Sequence, residues 1–473
     1  MAVSETHFEI DRRSILVVLA SRLRRQLVLI ALLALFAWIR TWPIPDGLTE
    51  SGWGTLCIFG LCASLWATGT LPPAITSLLA LALLPMLGIM GARETYAYFG
   101  SRVVFFILGA FMLSAALVAT GLSQRLATVF VQHVGQTPKR LVLGIFALCA
   151  ATSTLMSSHA VAVMMFPLVQ DLARALELKP KTSRMGRSLM FALAWGCIIG
   201  GSFTILGGGR GPLAIGLLEE ASQETMSISF LGYMSYSWPL VASLLLFALW
   251  RLSGGFATDV EDTSVAVTRL KAQLHEMGKV SPQELSVGAV LVITVTLWAV
   301  AGDTLGIASI AICSMAALFA LGTVSWHDIQ TRVNWGIVVM YGGAIGLGGA
   351  MERSGAASWL TEQTIGGFTL APTTLMLGLA VASAVLTEFM SNSAVVAMLM
   401  PPALALAETH GIDLRAMTMA IVLPSNFAFI FPIATPVTAL AWSGGYFSAG
   451  VMAKEGVVMH AFAWTVMASL IYG

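Results

Sequence analysis

The chain has 473 residues, of which 57% are hydrophobic and only 10% are charged, and its formal net charge is +1. This composition is typical of a polytopic membrane protein and excludes an ordinary soluble domain, and the small net charge argues against a nucleic-acid partner. The five cysteines lie in apolar stretches without metal-ligand spacing, which indicates small core residues. No carboxylate pair, cysteine–histidine couple or phosphate-binding loop occurs at a spacing that catalysis needs, so the sequence does not predict an enzyme.

In chain order, residues 1–25 combine a basic cluster with apolar positions, which predicts a cytoplasmic interfacial amphipathic helix. A bilayer crossing needs about 20 apolar residues, and about 11 later segments approach or exceed that length. These predicted crossings cover approximately 26–41, 53–70, 74–90, 103–121, 188–218, 230–250, 285–301, 305–322, 334–350, 413–443 and 456–472, of which 188–218 and 413–443 are interrupted.

Two further segments, 140–176 and 371–407, each consist of two apolar runs that are too short to span a bilayer and that meet at small polar residues. Such a pair predicts a re-entrant hairpin whose tip lies at membrane depth, where only protein or a watery cavity can satisfy non-helical backbone. The alternative is one kinked helix whose serine hydroxyls bond back to the backbone. The predicted fold is therefore all-α, with about 11 transmembrane helices and two re-entrant hairpins.

The distribution of lysine and arginine orients these segments. The basic N-terminus and the basic loop 179–187 are placed in the cytoplasm, while the acidic loops 42–52 and 219–224 are placed outside. Both basic segments share a side only if the first hairpin enters and leaves on that side. The first hairpin therefore opens inward, and the second opens outward.

A charged segment without an apolar run, 253–284, predicts a cytoplasmic linker between a first half, 26–252, and a second half, 285–473. The two halves repeat one another. Adding 234 to the positions of Gly109, Gly121, Ser157 and Pro167 gives Gly343, Gly355, Ser391 and Pro401. Because the halves begin on opposite sides of the membrane, the repeat is inverted, and inverted repeats with broken helices are typical of secondary transporters.

The motifs at the second hairpin and the second helix break resemble the divalent-anion/sodium symporter family, the carriers of dicarboxylates, citrate and sulfate. They are Thr387-Glu388-Phe389 before Ser391-Asn392-Ser393, and Phe431–Pro436 before Ser443-Gly444-Gly445. The resemblance covers about residues 50–472. It implies a homodimer with a scaffold domain and a transport domain that moves as an elevator, and paired Ser-Asn-Thr tips that hold substrate carboxylates and help coordinate sodium.

Carried over by position, the resemblance implies that Asn392 and Ser393 hold a carboxylate, with Ser393 in place of the family's threonine, and that Thr435 and Pro436 line the same pocket. A second sodium site would take oxygens from Thr387, Ser391, Asn392 and Ala434. Glu388 also matches the family, and the alternative to a functional role is an interior carboxylate that accepts hydrogen bonds from backbone donors.

The first half departs from the family pattern. Its tip is Ser157-Ser158-His159 instead of Ser-Asn-Thr, and its break is Gly207-Gly208-Gly209-Arg210-Gly211 instead of Gly-Thr-Pro-Pro-Asn. The corresponding substrate-binding candidates are Ser158, His159, Gly208 and Arg210. The candidates for a first sodium site are Ser153, Ser157, Ser158 and Gly207. A permanent cation, Arg210, and a titratable one, His159, now stand beside this site.

A charged residue at membrane depth costs about 2.5–3.5 kcal/mol and usually has a function, and arginine offers a planar fork of donors for anions. The hypothesis is that Arg210, helped by His159, replaces one sodium ion opposite an anionic substrate, which predicts weak or no sodium coupling and obligatory anion exchange. The alternative for Arg210 is a structural ion pair, for example with Glu388. Proton coupling and neutral packing are the alternatives for His159.

The leading interpretation is an elevator-type carrier of di- or tricarboxylates in the plasma (inner) membrane. Its partners would be the small carboxylate anion, membrane lipid and a second copy of the chain. No cofactor is expected other than a sodium ion. The alternatives are a sodium-coupled dicarboxylate or sulfate symporter, a sodium/proton antiporter or arsenite permease, and an anion channel.

Overall fold

A computed structural model describes residues 15–254, 259–365 and 371–472, and over these ranges it is helical without any strand. The helices of the first half are α1 (Ile15–Arg40), α2 (Glu50–Thr68), α3 (Pro73–Met86), α4 (Ala92–Ala97), α5 (Arg102–Ala119), α6 (Leu122–Val134), α7 (Pro138–Ser153), α8 (Ser158–Ala175), α9 (Arg184–Gly200), α10 (Arg210–Ala221) and α11 (Phe230–Gly254). The linker contains α12 (Ser264–Glu276).

Within the described ranges, the second half repeats the order from α2 to α11, and α1 has no counterpart in it. Its helices are α13 (Pro282–Leu305), α14 (Ile307–Ala320), α15 (Trp326–Arg332), α16 (Trp335–Arg353), α17 (Ala356–Ile365), α18 (Pro372–Leu386), α19 (Asn392–Thr409), α20 (Leu414–Val422), α21 (Pro436–Ser443) and α22 (Ala449–Tyr472). The prediction of an all-α membrane fold is confirmed.

Two predicted boundaries differ from the structure. The first is the break near residue 25, since α1 runs continuously from Ile15 to Arg40 and residues 15–25 form its first turns. Residues 1–14 of the predicted interfacial helix lie outside the described residues. The second is the end of the linker, because α13 already begins at Pro282 with a capping box between Ser281 and Glu284, a strong start signal.

Few helices are long enough to cross a bilayer unaided. Among the described residues, four stretches have the length and hydropathy of a full span, namely Ala92–Ala119, Phe230–Gly254, Pro282–Leu305 and Ala449–Tyr472. A fifth arises if α15 and α16, which meet at a bend of 65°, count as one span. The count of about 11 crossings therefore stays a prediction.

The two hairpins are pairs of separate helices, not one kinked helix. In the first, α7 ends at Ser153 and α8 begins at Ser158, and in the second, α18 ends at Leu386 and α19 begins at Asn392. The linker helix α12 packs against both α6, which leads into the first hairpin, and α8, the second arm of that hairpin.

The repeat extends to the caps of the hairpin helices. α7 and α18 both start at a proline, and these prolines lie 234 residues apart, as do the first residues of α8 and α19. Ser157 and Ser391 each cap the second arm by accepting a backbone N–H bond of 3.3 Å. The predicted internal repeat is thus a structural repeat as well.

The first hairpin packs closely against the interrupted segment α9–α10. A side chain at Gly200 would place its Cβ 2.1 Å from the carbonyl oxygen of Ala150, so only glycine lets the backbones of α7 and α9 approach this closely. This contact fixes the first helix break beside the hairpin tip. The second break is formed by a 3-10 turn, Pro424–Asn426, and the non-helical residues before α21.

Candidate functional site

Both hairpin tips and both helix breaks line a single cavity of about 980 Å³. Most of the predicted site residues line it, namely Ser157, Ser158, His159, Gly207, Gly208, Arg210, Ser391, Asn392, Ser393, Ala434, Thr435 and Pro436. Two predicted sodium ligands, Ser153 and Thr387, are fully buried behind the cavity wall and do not line it. The structure therefore brings the two half-sites, whose tips Ser157 and Ser391 lie 234 residues apart in sequence, to one place.

In the first half, the hairpin tip is bonded directly to the helix break. The backbone N–H and the hydroxyl of Ser158 both donate to the carbonyl oxygen of Gly207, each over 3.0 Å. The Thr204 hydroxyl donates to the carbonyl oxygen of Thr154 in the tip. Two of the predicted sodium ligands, Ser158 and Gly207, thus bond to each other, while the buried hydroxyl of Ser153 has no hydrogen-bond partner.

Arg210 is the first residue of α10 and only 4% exposed. Its Nη2 donates to the carbonyl oxygen of Gly201 over 2.5 Å and approaches Ser202 Oγ at 3.5 Å, and its buried Nε has no partner. In the described part of the chain, no carboxylate lies within ion-pair distance of Arg210, so the alternative of a pair with Glu388 is not found. Among the described residues, the hydrogen bonds of this buried guanidinium go to neutral oxygens.

His159 follows the tip serines and also lines the cavity, with a buried Nδ1 that has no hydrogen-bond partner. A buried ring nitrogen without a partner is costly unless a ligand or water satisfies it. This geometry agrees with a substrate donor.

The second half presents neutral polar groups. The Thr387 hydroxyl, which has one proton to donate, lies 2.9 Å from Asn392 Oδ1 and 2.5 Å from the carbonyl oxygen of Ser425. Thr435 caps α21 by accepting from the backbone N–H of Thr438 over 3.2 Å. The hydroxyl, amide and carbonyl oxygens of this half suit a hard cation such as sodium. Among the described residues, no group of three or more histidine, cysteine, aspartate or glutamate side chains is placed to hold a metal ion.

Glu388 is an interior carboxylate that accepts hydrogen bonds from backbone donors, which was the alternative to a functional role. Its Oε1 accepts from the backbone N–H groups of Phe429 and Ile430 over 2.8 and 2.9 Å, and its Oε2 accepts from that of Phe431 over 2.9 Å. His460 of α22, which the sequence left without a role, places Nε2 3.7 Å from Oε1. Glu388 therefore binds the second hairpin tip to the second helix break.

Asn426 is a site residue that sequence reasoning missed. It ends the 3-10 turn of the second break, is 3% exposed and lines the cavity. The available signal was the one amide side chain in the mostly apolar interrupted span 413–443, because a polar residue at membrane depth is usually functional.

Two broken helices and two hairpins, contributed by repeated halves and converging on one polar cavity within an apolar helical protein, define a secondary membrane transporter. The transmembrane-region model of the sodium:sulfate symporters matches residues 23–473. The chain belongs to this family, which confirms the resemblance found in the sequence, and it is an integral membrane transporter and not an enzyme.

Individual relatives agree with this assignment. The chain is 26% identical over 455 residues to the sodium-dependent dicarboxylate transporter SdcS of Staphylococcus saprophyticus, covering 90% of this chain and 87% of that protein. It is 25% identical over 454 residues to SdcS of Staphylococcus aureus strain USA300, with the same coverage.

Solved structures support the fold. The YdaH transporter of Alcanivorax borkumensis aligns with a TM-score of 0.58 at 14% identity, over 85% of this chain and 98% of that chain. MtrF of Neisseria gonorrhoeae, described as one of a class of antimetabolite efflux pumps, aligns with a TM-score of 0.53 at 12% identity, over 95% and 93%. At these identities the likeness concerns the fold alone.

Proposed function

We propose that this protein carries di- or tricarboxylate anions by an elevator mechanism and exchanges one anion for another with weak or no sodium coupling. The observation that carries the proposal is Arg210, a permanent and nearly buried cation in the cavity wall without an acidic partner among the described residues. The names of the related dicarboxylate transporters support the substrate class.

The unpaired charge explains why exchange is favoured over net uptake. A buried charge is costly unless it is paired, and the neutral oxygens around Arg210 compensate it only in part. A bound carboxylate would supply the missing negative charge through the donor fork of the guanidinium. The loaded carrier would therefore move across the membrane more readily than the empty one.

The two candidate sodium sites differ in how well their oxygen atoms could hold a sodium ion, and the first is the less suited. In the first, Ser158 and Gly207 already bond to each other, and Arg210 brings a positive charge into the same cavity wall. In the second, Thr387, Ser391, Asn392 and Ala434 retain a set of oxygen ligands. This second set and the sodium dependence of the named relatives favour the alternative, a sodium-coupled dicarboxylate or sulfate symporter.

The cavity extends from the tips to the starts of α3, α6 and α16, where it is lined by Pro72, Ser123 and Asn334. Arg125 of α6, two residues after Ser123, donates to the carbonyl oxygens of residues 277–279 in the linker, and this contact supports a cavity that opens toward the linker. With the linker and N-terminus in the cytoplasm of a plasma-membrane protein, as the charges predict, this conformation faces inward. We also propose that two copies of the chain form a homodimer, as the family resemblance implies.

Radiolabelled succinate counterflow into proteoliposomes tests the proposal, with succinate, malate, 2-oxoglutarate, citrate or sulfate inside and with sodium replaced by choline. We expect uptake that requires an internal anion and persists without sodium. Strict sodium dependence, or sodium-driven uptake into vesicles without an internal anion, would establish the symporter instead. A flux without saturable counterflow would indicate a channel.

Substitution of Arg210 by alanine tests the residue that carries the proposal. We expect Arg210→Ala to lose most of the succinate exchange, because the anion loses its counter-charge. Arg140→Ala removes an arginine from an exposed position at the start of α7, away from the cavity, and serves as the matched control. Unchanged affinity and unchanged exchange in Arg210→Ala would assign Arg210 a structural role.

A further inference from the structure

We infer that Asn426 is a positioning residue that connects the neutral half-site at Asn392 to the cationic half-site at Arg210, so that both act on one anion. The inference rests on the proposed function and adds a residue that determines how the anion is held. It starts from one buried amide that belongs to neither hairpin tip.

The hydrogen-bonding groups of Asn426 point to three different elements. Its Nδ2 donates to the carbonyl oxygen of Ile198 in α9 over 2.5 Å and to Ser202 Oγ in the first helix break over 2.8 Å. Its Oδ1 accepts from Nδ2 of Asn392 in the second hairpin over 2.9 Å. Both amide hydrogens are therefore used toward the first half of the molecule, while the oxygen is used toward the second.

Ser202 continues the connection to Arg210. Its hydroxyl donates to the carbonyl oxygen of Ile198 over 3.2 Å and accepts from Asn426 and from Nη2 of Arg210. This single hydroxyl thereby makes every hydrogen bond available to it. A continuous chain of hydrogen bonds, Asn392–Asn426–Ser202–Arg210, runs across the boundary between the two repeats.

The chain also sets the orientation of the Asn392 amide. One N–H of Asn392 is held by Asn426, and its oxygen faces the Thr387 hydroxyl, so the amide cannot turn over without breaking both contacts. One N–H of Asn392 stays available in the cavity wall for a carboxylate. At the other end, the bonds to Ser202 and Gly201 hold the guanidinium in its place.

Buried polar networks act as units, because low dielectric strengthens each bond and makes a broken one costly. Loss of Asn426 would free the Asn392 amide and leave Ser202 with one partner fewer. The anion would then meet donors that are not preorganised, and it would bind more weakly without any loss of a group that touches it.

The test measures the KM and the maximal rate of succinate exchange separately for Asn426→Ala and Ser202→Ala, which break the same chain from its two sides. We expect each variant to raise KM about tenfold, the equivalent of about one lost hydrogen bond, while the maximal rate falls much less. The double variant should raise KM little beyond either single variant, because the first substitution has already broken the connection.

Thr418→Val is the matched control. Thr418 is a buried residue of α20 whose hydroxyl bonds only within its own helix, and it does not line the cavity. Its substitution reports the general effect of removing a buried polar group, and we expect an unchanged KM. Size-exclusion profiles establish which variants are folded, and Ser202→Ala, which removes one atom, keeps the test usable should Asn426→Ala not fold.

The outcomes separate the inference from the proposed function. If the unsubstituted protein exchanges anions and the folded Asn426 or Ser202 variants keep its KM, the positioning role is overturned while the transport function stands. If each single variant raises KM but the effects multiply in the double variant, the two residues act independently and the connecting chain is overturned. If the unsubstituted protein exchanges none of the anions, the proposed function fails, and with it the role of Asn426.

Discussion

At the scale of single residues, the two half-sites use different chemical groups to attach the hairpin tip to the helix break. Each hairpin tip must be attached to a helix break whose backbone groups have no helical partners. In the first half, Ser158 and Thr204 make this attachment through hydroxyl groups. In the second half, one carboxylate, Glu388, accepts three backbone N–H bonds. The second attachment thus depends on one side chain, whereas the first is divided between two hydroxyl groups.

Glu388→Gln should therefore destabilise the protein although it preserves the shape of the side chain. The amide can accept at one oxygen, but its NH2 group must face a backbone N–H donor, and a buried donor without an acceptor costs about 1–3 kcal/mol. We expect a lower midpoint of thermal unfolding in detergent. Glu362→Gln changes an exposed glutamate of α17 and is the control. Equal midpoints for parent and Glu388→Gln would show that the three bonds contribute little to stability.

At the scale of elements, the linker is attached to the first half at several points. Thr263 donates to the carbonyl oxygen of Gly135, just before α7, and Arg125 of α6 forms a buried ion pair of 2.7 Å with Glu284 at the start of α13. Asp259 accepts from the backbone N–H groups of Arg184 and Met185 and from the Ser183 hydroxyl. Asp259 of the linker thereby caps the N-terminus of α9, where a negative charge is favourable.

This attachment makes a pH-dependent contribution to stability. Partial burial raises the pKa of Asp259, but the hydrogen bonds from Met185, Ser183 and Arg184 outweigh it, so the pKa lies below its ordinary value. A carboxylate with a depressed pKa stabilises the fold above the unfolded-state pKa of about 3.9, and the contribution is lost as the pH falls through the lower folded-state pKa. Asp259→Asn should therefore lower the unfolding midpoint equally at pH 8 and pH 5, and less below about pH 4.

Glu261→Gln, at an exposed neighbouring position of the linker, is the control for this measurement. A difference between parent and Asp259→Asn that stayed constant down to pH 3 would rule out the carboxylate as its source. The contact itself could not be predicted from the sequence, because Asp259 and Ser183 lie 76 residues apart and nothing in the local pattern relates them.

At the scale of the whole molecule, the sequence could predict the two hairpin tips and the two helix breaks that meet at the cavity, because repeats and helix breaks are local signals. The half-length apolar runs, the Ser391-Asn392-Ser393 tip and the glycine run before Arg210 all mark interrupted backbone, and the structure places them around one cavity. The contacts across the repeat boundary were not predictable. The bond from Asn426 to the carbonyl oxygen of Ile198 joins residues 228 positions apart, and such a contact depends on how the halves pack.

The unpaired charge of Arg210 has a consequence for the energetics of the proposed exchange. Because this charge travels in both directions of a cycle, its work against the membrane potential cancels, and a one-for-one exchange of equally charged anions is electroneutral. A trianion exchanged for a dianion moves one net charge, worth about 2.3 kcal/mol per 100 mV. We expect a potassium diffusion potential to leave the final distribution of labelled succinate unchanged in succinate–succinate exchange, but to shift it in exchange against trivalent citrate. A shift in the first case would show that another ion accompanies the substrate.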